Sequence, residues 1–572
     1  MIRKSLPVLL ALLIPCIAKA NDVDLSITGL KDEVKDNVDA YVSSIPETDY
    51  STSLQFQALL EENITQALNA LGYYHPTFKF DVKRDGEERE LLVDVTPGPA
   101  VIIKQVDVRI SGEAEQDREF RHLIRQSELK VGQRLQHAQY DSLKSSIVNL
   151  SLQRGYFDGD FTANRLEIIP ALNEANVVIH YDSGIRYHFG DTAVTGSQID
   201  EDRVLSMQPY HQGEPYLASQ VGEYNQSLSN TEWFSSVFVE PDLHALGKQR
   251  ELPMKVALAP QSRNQLEPGI GYSTDVGVRG SLKWKKPWIN SKGHSFDSSF
   301  SLSQPEQVIT ASYRIPLDDV LKDYYRISYS MKHLDQRDTE SIESNLALER
   351  HWILDSGWHR TIYIRHLLES YEQGLQDDTG QFILPGISFS RTRTSGGSIP
   401  RSGQRASITI EAGSGSAFSE TDVVRVMGGA GWIHSFSRNH RSVFRLDGGA
   451  NLTEEWDKLS PSLRFFAGGD NSIRGYGYES ISPRDESGAL TGAKYQATSS
   501  LEYQYRLTGK WWGALFYDIG DAFNDKPDWH RGTGVGIRWG SPVGPIRLDF
   551  AWGLDAEPGD EFRIHFSLGP EL

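Results

Sequence analysis

From about residue 265 onward the chain alternates apolar and polar residues with a period of two. "SLEYQYRL" sets Leu501, Tyr503, Tyr505 and Leu507 against Glu502, Gln504 and Arg506. "RISYSMKH" alternates Ile327, Tyr329 and Met331 with Ser328, Ser330 and Lys332, and "IRLDFAWGL" does the same from Ile546 to Leu554. The last such stretch, "EFRIHFSL", places Phe562, Ile564, Phe566 and Leu568 against Arg563, His565 and Ser567. Neighbouring side chains of a strand point to opposite faces, so each stretch predicts a strand with one apolar face. Half-apolar strands fit a soluble sandwich or a membrane barrel. The alternation continues over 265–572, long for one sandwich, and at roughly 19 residues per strand and connection it accommodates about 16 strands. Aromatic-rich outer faces and polar inner faces favour a transmembrane antiparallel β-barrel, because in lipid only a closed sheet pairs every backbone group without helices.

Ahead of residue 265 the pattern repeats on a longer scale. A short strand ending in a hydroxyl residue and glycine occurs at Thr28-Gly29, Ser111-Gly112 and Thr195-Gly196, with the glycines 83 and 84 residues apart. A helical pattern follows each. The first puts Phe56, Leu60, Ile64, Ala67 and Leu71 on one face; its counterparts carry Leu143, Ile147 and Leu150, then Val221, Tyr224 and Leu228. An aromatic pair and two strands close each unit, as in "GYYHPTFKFDV" and "ELLVDVTPG". Three α+β modules of order β-α-α-β-β are expected, at 21–102, 103–185 and 186–262, each burying one sheet face under two helices and followed by the barrel at 263–572.

Composition then narrows the class. Arg3 and Lys4, the apolar run Leu6–Ile17 and Ala18-Lys19-Ala20 form a signal-peptide pattern over 1–20, with removal expected near Ala20. The only cysteine, Cys16, lies inside it, so disulfides, thiolate metal sites and cysteine nucleophiles are not expected in the mature chain. The formal net charge of −19 becomes −22 once Arg3, Lys4 and Lys19 are removed. That excess of negative charge argues against nucleic-acid binding. No G-x-S-x-G or H-E-x-x-H stretch occurs, so no catalytic residue, metal ligand or cofactor-binding residue is assigned and the chain is not expected to be an enzyme.

One stretch departs from the strand pattern. "FFAGGDNSIRGYGYESISP" is glycine-rich and holds one basic residue, Arg474. A phosphate-binding loop would lead into a helix, and the flanks here are strand-like. If the segment folds into the barrel lumen, Arg474 needs carboxylates. Alternation in "LFYDIGDAF" points Phe516, Asp518 and Gly520 inward, and Glu502 points inward in "SLEYQ". A guanidinium fork can bridge two such groups, while Gly475 and Gly477 let the backbone pass close to the wall. Arg474, Gly475 and Tyr476 are therefore expected to form an internal strut.

The "IRGY" loop, the "FYDIG" strand, "SLEY" and three exported modules ahead of a barrel resemble the POTRA–barrel assembly proteins of the bacterial outer membrane, the BamA-like superfamily. Three modules, against five in BamA and two in two-partner secretion transporters, are most similar to its TamA-type members. The resemblance implies an outer-membrane barrel with modules in the periplasm, binding an inner-membrane-anchored TamB-like partner. Client outer-membrane and autotransporter strands would enter the lipid bilayer through a lateral seam. A two-partner secretion transporter and a TamB-linked role in phospholipid transport are the alternatives. The residues themselves locate the seam. A first strand near "PGIGYSTDVGVRGSLKW" carries Gly269, Gly271 and Gly277, and glycine weakens a strand. Its partner, with Phe562, Ile564 and Phe566, is cut short at Gly569-Pro570.

Overall fold

The computed structural model describes residues 23–85, 88–246, 250–397, 399–541 and 544–568. The leader at 1–20 and Gly569 lie outside them. The described chain falls into two compact bodies. One holds residues up to Thr192 together with Tyr210–Val221 and Glu240–Met254; the other holds Ala193–Pro209, Gly222–Val239 and everything from Lys255 onward.

The first module runs β1 (Val23–Thr28), α1 (Asp32–Val42), α2 (Leu54–Ala70), β2 (Thr77–Asp85) and β3 (Glu88–Thr96). The second repeats the order as β4 (Ile102–Ser111), α3 (Arg118–Gln126), α4 (His137–Arg154), β5 (Asp160–Ile169) and β6 (Glu174–Asp182). The third does so as β7 (His188–Thr195), α5 (Glu201–Leu205), α6 (Ala218–Asn230), β8 (Phe234–Pro241) and β9 (Glu251–Pro260). In each, the last strand lies between the other two, giving orders β1-β3-β2, β4-β6-β5 and β7-β9-β8.

The spacing of apolar residues on α2 explains why it packs. Phe56, Leu60, Ile64 and Ala67 all face Leu91, Val93 and Val95 of β3 in one buried cluster. Ser53 starts the helix by accepting the Phe56 amide at its side-chain oxygen. In α4, Leu143 and Ile147 fill the same role against Val177 and Ile179. The repeated hydroxyl–glycine signature also has a backbone cause. Gly29, Gly112 and Gly196 all sit at positive φ, 85°, 77° and 76°, a region costly for any residue with a Cβ.

The remaining strands form one 16-stranded antiparallel sheet in strict sequence order. They are β10 (Gln265–Ser273), β11 (Gly277–Lys286), β12 (Ser295–Leu302), β13 (Glu306–Pro316), β14 (Asp323–Gln336), β15 (Thr339–Ile353), β16 (His359–Gln373) and β17 (Gln376–Ser395). β18 (Ser402–Gly413), β19 (Val423–Ser435), β20 (His440–Leu452), β21 (Tyr495–Thr508), β22 (Trp511–Phe523), β23 (His530–Ser541), β24 (Gly544–Gly553) and β25 (Phe562–Leu568) complete it. The alternation resolves into an apolar outside: Leu501, Tyr503, Tyr505 and Leu507 are exposed, whereas Glu502 and Gln504 are buried. No described helix is long and apolar enough to cross a membrane; a barrel sheet with this outer face crosses with strands instead.

One boundary differs from the sequence reading. The stretch taken as a single first strand is a hairpin, in which β10 and β11 flank a turn at 274–276. Gly277 opens β11 opposite Ser273, so it belongs to the second strand rather than to the edge. Its left-handed φ of 72° ends the extended run that alternation alone had carried through.

Candidate functional site

The segment between β20 and β21, residues 453–494, packs against inward-facing residues of the barrel strands. It carries its own apolar centre, in which Phe465, Ile473, Tyr476 and Ile481 pack with Ala522 of β22. Short bridges such as Ala467 to Ile481 tie it together. Apolar burial therefore holds the loop in place before any charge is counted.

At its tip Arg474 is 2 % exposed. Its Nε and one terminal nitrogen each donate to Asp518 at 2.8 Å, a bidentate fork that matches carboxylate geometry. The other terminal nitrogen donates to Glu502 at 2.6 Å and lies 3.4 Å from Asp549. The Arg474 main-chain N–H also donates to Asp518, at 3.0 Å, and Ser500 accepts from the guanidinium at 3.1 Å. The Phe516 ring lies beneath, its centroid 3.5 Å from the guanidinium carbon. Arg538 on β23 closes the network, donating to Glu502 at 2.7 and 2.8 Å and contacting Asp549 at 2.7 Å. Two fully buried guanidiniums thus share three carboxylates, each of which has a guanidinium nitrogen within 2.8 Å.

The flanking residues explain why the tip is so confined. Gly475 has φ +95°, and a Cβ there would come within 2.5 Å of the Gly553 nitrogen; only glycine lets the chain lie this close to β24. The Tyr476 hydroxyl donates to the Arg531 carbonyl at 3.2 Å and accepts the Asp555 amide at 3.1 Å. Gly477 passes beside the Arg337 guanidinium. Among the strut partners named from sequence, Asp518, Glu502 and Phe516 meet Arg474 directly. Gly520 does not; it backs onto Ala497 and Thr498 of β21.

Sequence reasoning missed a second cluster. His565 on β25 accepts the Gly475 N–H at Nε2, 3.0 Å away, which leaves Nδ1 as the donor to Asp470 at 2.6 Å. Asp470 in turn accepts from Thr274 at 3.2 Å, and its N–H donates to Asp275 at 3.0 Å. Asp275, Asp470 and His565 bring their ligand atoms within 4.8 Å of one another, the geometry of a small cation site. Both ring nitrogens are engaged, however, so the arrangement is a hydrogen-bonded link. It joins the β10–β11 turn, the internal loop and the last strand. Nothing local in the sequence signals it, because its members are 95 and 195 positions apart.

The link sits where the sheet closes. No ladder joins β10 to β25 among the described residues, which stand at the two ends of the strand order. They meet where the Thr274 N–H donates to the Phe566 carbonyl at 3.2 Å and the Phe566 N–H donates to the Thr274 hydroxyl at 3.1 Å. The rings of Tyr272 and Phe566 lie 5.8 Å apart. β10 carries Pro268 at a ladder position opposite Leu282, and proline, which has no N–H to donate, is favoured on edge strands. Ile270 is 90 % exposed. Gly269 and Gly271 lie on this edge; Phe562, Ile564 and Phe566 lie on β25, laddered to β24 on its other side.

A 16-strand barrel, an internal loop anchored by Arg474 and preceding β-α-α-β-β modules define a recognisable class. Residues 264–571 match the Omp85 superfamily domain, more than half of the chain, and the chain belongs to that superfamily. Within it, residues 24–97 match the first POTRA domain of the TamA type, so the first module is a TamA-type POTRA domain.

Curated relatives include the outer membrane protein assembly factor BamA of Nitratidesulfovibrio vulgaris, 26 % identical over 404 residues. That match covers 66 % of this chain and 50 % of the relative. The chloroplastic outer envelope protein 80 of Arabidopsis thaliana is 32 % identical over 142 residues, 23 % of this chain and 17 % of that protein. The chain thus spans half or less of the curated relatives it matches. Among solved structures, BamA of Haemophilus ducreyi lacking POTRA domains 1–3 has the same fold, with a TM-score of 0.56 at 12 % identity. The likeness covers 96 % of this chain and 99 % of that one.

Proposed function

We propose that this chain is an outer-membrane assembly factor that admits client β-strand proteins, autotransporters among them, into the bilayer between β10 and β25. The observation that carries the reading is the missing ladder at that junction among the described residues. Unpaired main-chain groups on an edge strand are a template for an incoming strand. The junction is held by two hydrogen bonds at Thr274 and by the His565 link, so opening it breaks few contacts. Arg474 is the strut of this device: it fixes the loop whose Gly475 and Asp470 hold His565. The barrel sits in the outer membrane and the modules in the periplasm, where an inner-membrane-anchored TamB-like protein docks on them. Client folding and burial in lipid supply the driving force.

Site-specific photo-crosslinking tests the reading. Probes at 269–274 and 562–568 are expected to capture a client during its assembly, whereas probes on the outer face of β15 and β16 are not. Equal capture at both places, or none at the junction, contradicts it. Conductance without client adducts would favour a passive pore, and a single dedicated adduct would favour a two-partner secretion transporter.

A further inference from the structure

The outer face of β14–β17 is polarised in charge along the strands. Directly opposed residues in an antiparallel ladder share a face. Tyr325, Arg350 and Ile362 are opposed in turn across β14, β15 and β16, and Trp352, Arg360 and Phe389 across β15, β16 and β17. Ile362 is opposed to Ile387, two positions from Phe389 on the same strand, so Arg391 and Arg393 continue that face. Ile327, Leu348, Ile362 and Ile364 on it are exposed, which makes it the lipid-facing surface. Its guanidiniums all lie towards the end at which β10 begins, beside the turn at 354–358 and the end of β17 at Ser395. At the opposite end of the same face, Asp335, Glu340, Glu372 and Asp377 are opposed in sequence across four strands.

The basic end is built rather than scattered. Arg350 and Arg360 each lie 4.4 Å from the Trp352 ring centroid, and Arg391 lies 5.9 Å from that of Trp358. Arg350 is neutralised by a two-point contact with Asp323 at 3.0 and 3.2 Å. Arg393 donates to the Ser356 carbonyl at 2.9 Å, in the turn between β15 and β16. Among the described residues, no carboxylate pairs with Arg360, Arg391 or Arg393, and the Nε atoms of Arg360 and Arg391 are buried without a hydrogen-bond partner. A guanidinium on a lipid face is costly at the bilayer midplane and nearly free at the interface. Tryptophan and tyrosine belong at that same depth. Three uncompensated cations at the edge of an apolar belt, two of them held on tryptophan rings and one on a turn carbonyl, therefore call for an anion whose other end is apolar.

We infer that this rim is a binding site for the headgroup phosphate of an anionic diacyl phospholipid in the leaflet at the end of the barrel where β10 begins. The phosphate is received by Arg360, Arg391 and Arg393, and the acyl chains lie along Ile362, Ile364 and Ile387. The acidic row at the other rim repels the same headgroup, so the preference has a direction. The site anchors the long-stranded wall in the bilayer and leaves the junction between β10 and β25 free to move.

The full-length protein in detergent, titrated with phosphatidylglycerol and followed by native mass spectrometry, tests this. Wild type is expected to retain phosphatidylglycerol in preference to phosphatidylcholine, and the double variant Arg360→Gln/Arg391→Gln to lose about thirtyfold in retention, two basic side chains' worth at an anionic surface. Resistance of the folded barrel to heat in gel electrophoresis reports that the variant is intact. Should it fail to fold, Arg391→Gln alone and the wild-type selectivity decide the matter. No preference of wild type for the anionic lipid overturns the inference, as does unchanged retention by a folded variant. Displacement of the lipid by inorganic phosphate would instead assign a free-anion site, and stronger retention of lipid A would assign the other leaflet; either result overturns it.

Discussion

The wall at β14–β17 and the junction of β10 with β25 are made from the same alternating pattern, yet they are held very differently. The wall strands are 14, 15, 15 and 20 residues long, and continuous ladders join each to the next. Hydroxyl and carboxylate pairs such as Ser328–Glu349 and Ser388–Thr409 bond across strands on the inner face. At the junction the strands are 9 and 7 residues long and share no ladder among the described residues. Side chains of the internal loop supply the link instead. A barrel can therefore be rigid through most of its circumference and still keep one place to open, provided that something other than sheet pairing governs that place. Here it is Asp470 and Gly475, held in position by Arg474.

Substitutions at the strut should break this contrast most strongly. Arg474→Ala leaves Asp518 buried without its guanidinium and Glu502 with Arg538 alone, a loss of about 3–5 kcal/mol for a buried pair with one partner removed. The barrel is expected to lose heat resistance in electrophoresis while the modules keep their far-ultraviolet circular dichroism. Unchanged heat resistance would mean that the loop carries no load. Gly532→Ala approaches the same point by sterics. Its Cβ would fall within 1.9 Å of the Arg474 carbonyl oxygen, so the tip must retreat, at about 1–3 kcal/mol, with greater protease access to residues 453–494.

A smaller effect, local to the junction, is expected from His565→Ala. It removes the acceptor of the Gly475 N–H and the donor to Asp470, about 1–3 kcal/mol of unmet hydrogen bonding. Client crosslinking at β10 and β25 should rise with little change in melting. A fall in crosslinking would assign His565 to client binding rather than to closure. Ser388→Ala sharpens the comparison from the other side: it costs about 0.2–1 kcal/mol in one cross-strand pair and should leave junction crosslinking unchanged.

Much of this was legible from the residues. Period-two alternation reports which side chains face lipid, and two carboxylates at inward positions near a lone arginine in a glycine-rich stretch pointed to an internal pairing. Arg538 and Asp549 were missed because arginine and aspartate at inward positions of any barrel strand look the same whether they meet or not. The His565 link was invisible for a different reason: its members come from the first hairpin, the internal loop and the last strand, and no local spacing encodes a contact made only when the ring closes. The first hairpin was read as one strand because a turn of three residues between glycine-rich strands barely interrupts the alternation.

The central claim is that β10 and β25 separate to admit a client strand. Cysteines placed at Thr274 and Phe566, where the two backbones already touch, would staple the junction; the natural chain has one cysteine, Cys16, so the pair is unambiguous. Client assembly measured with the staple oxidised and then reduced is the direct test. The account predicts that oxidation stops assembly and reduction restores it. Full assembly through an oxidised junction would contradict it.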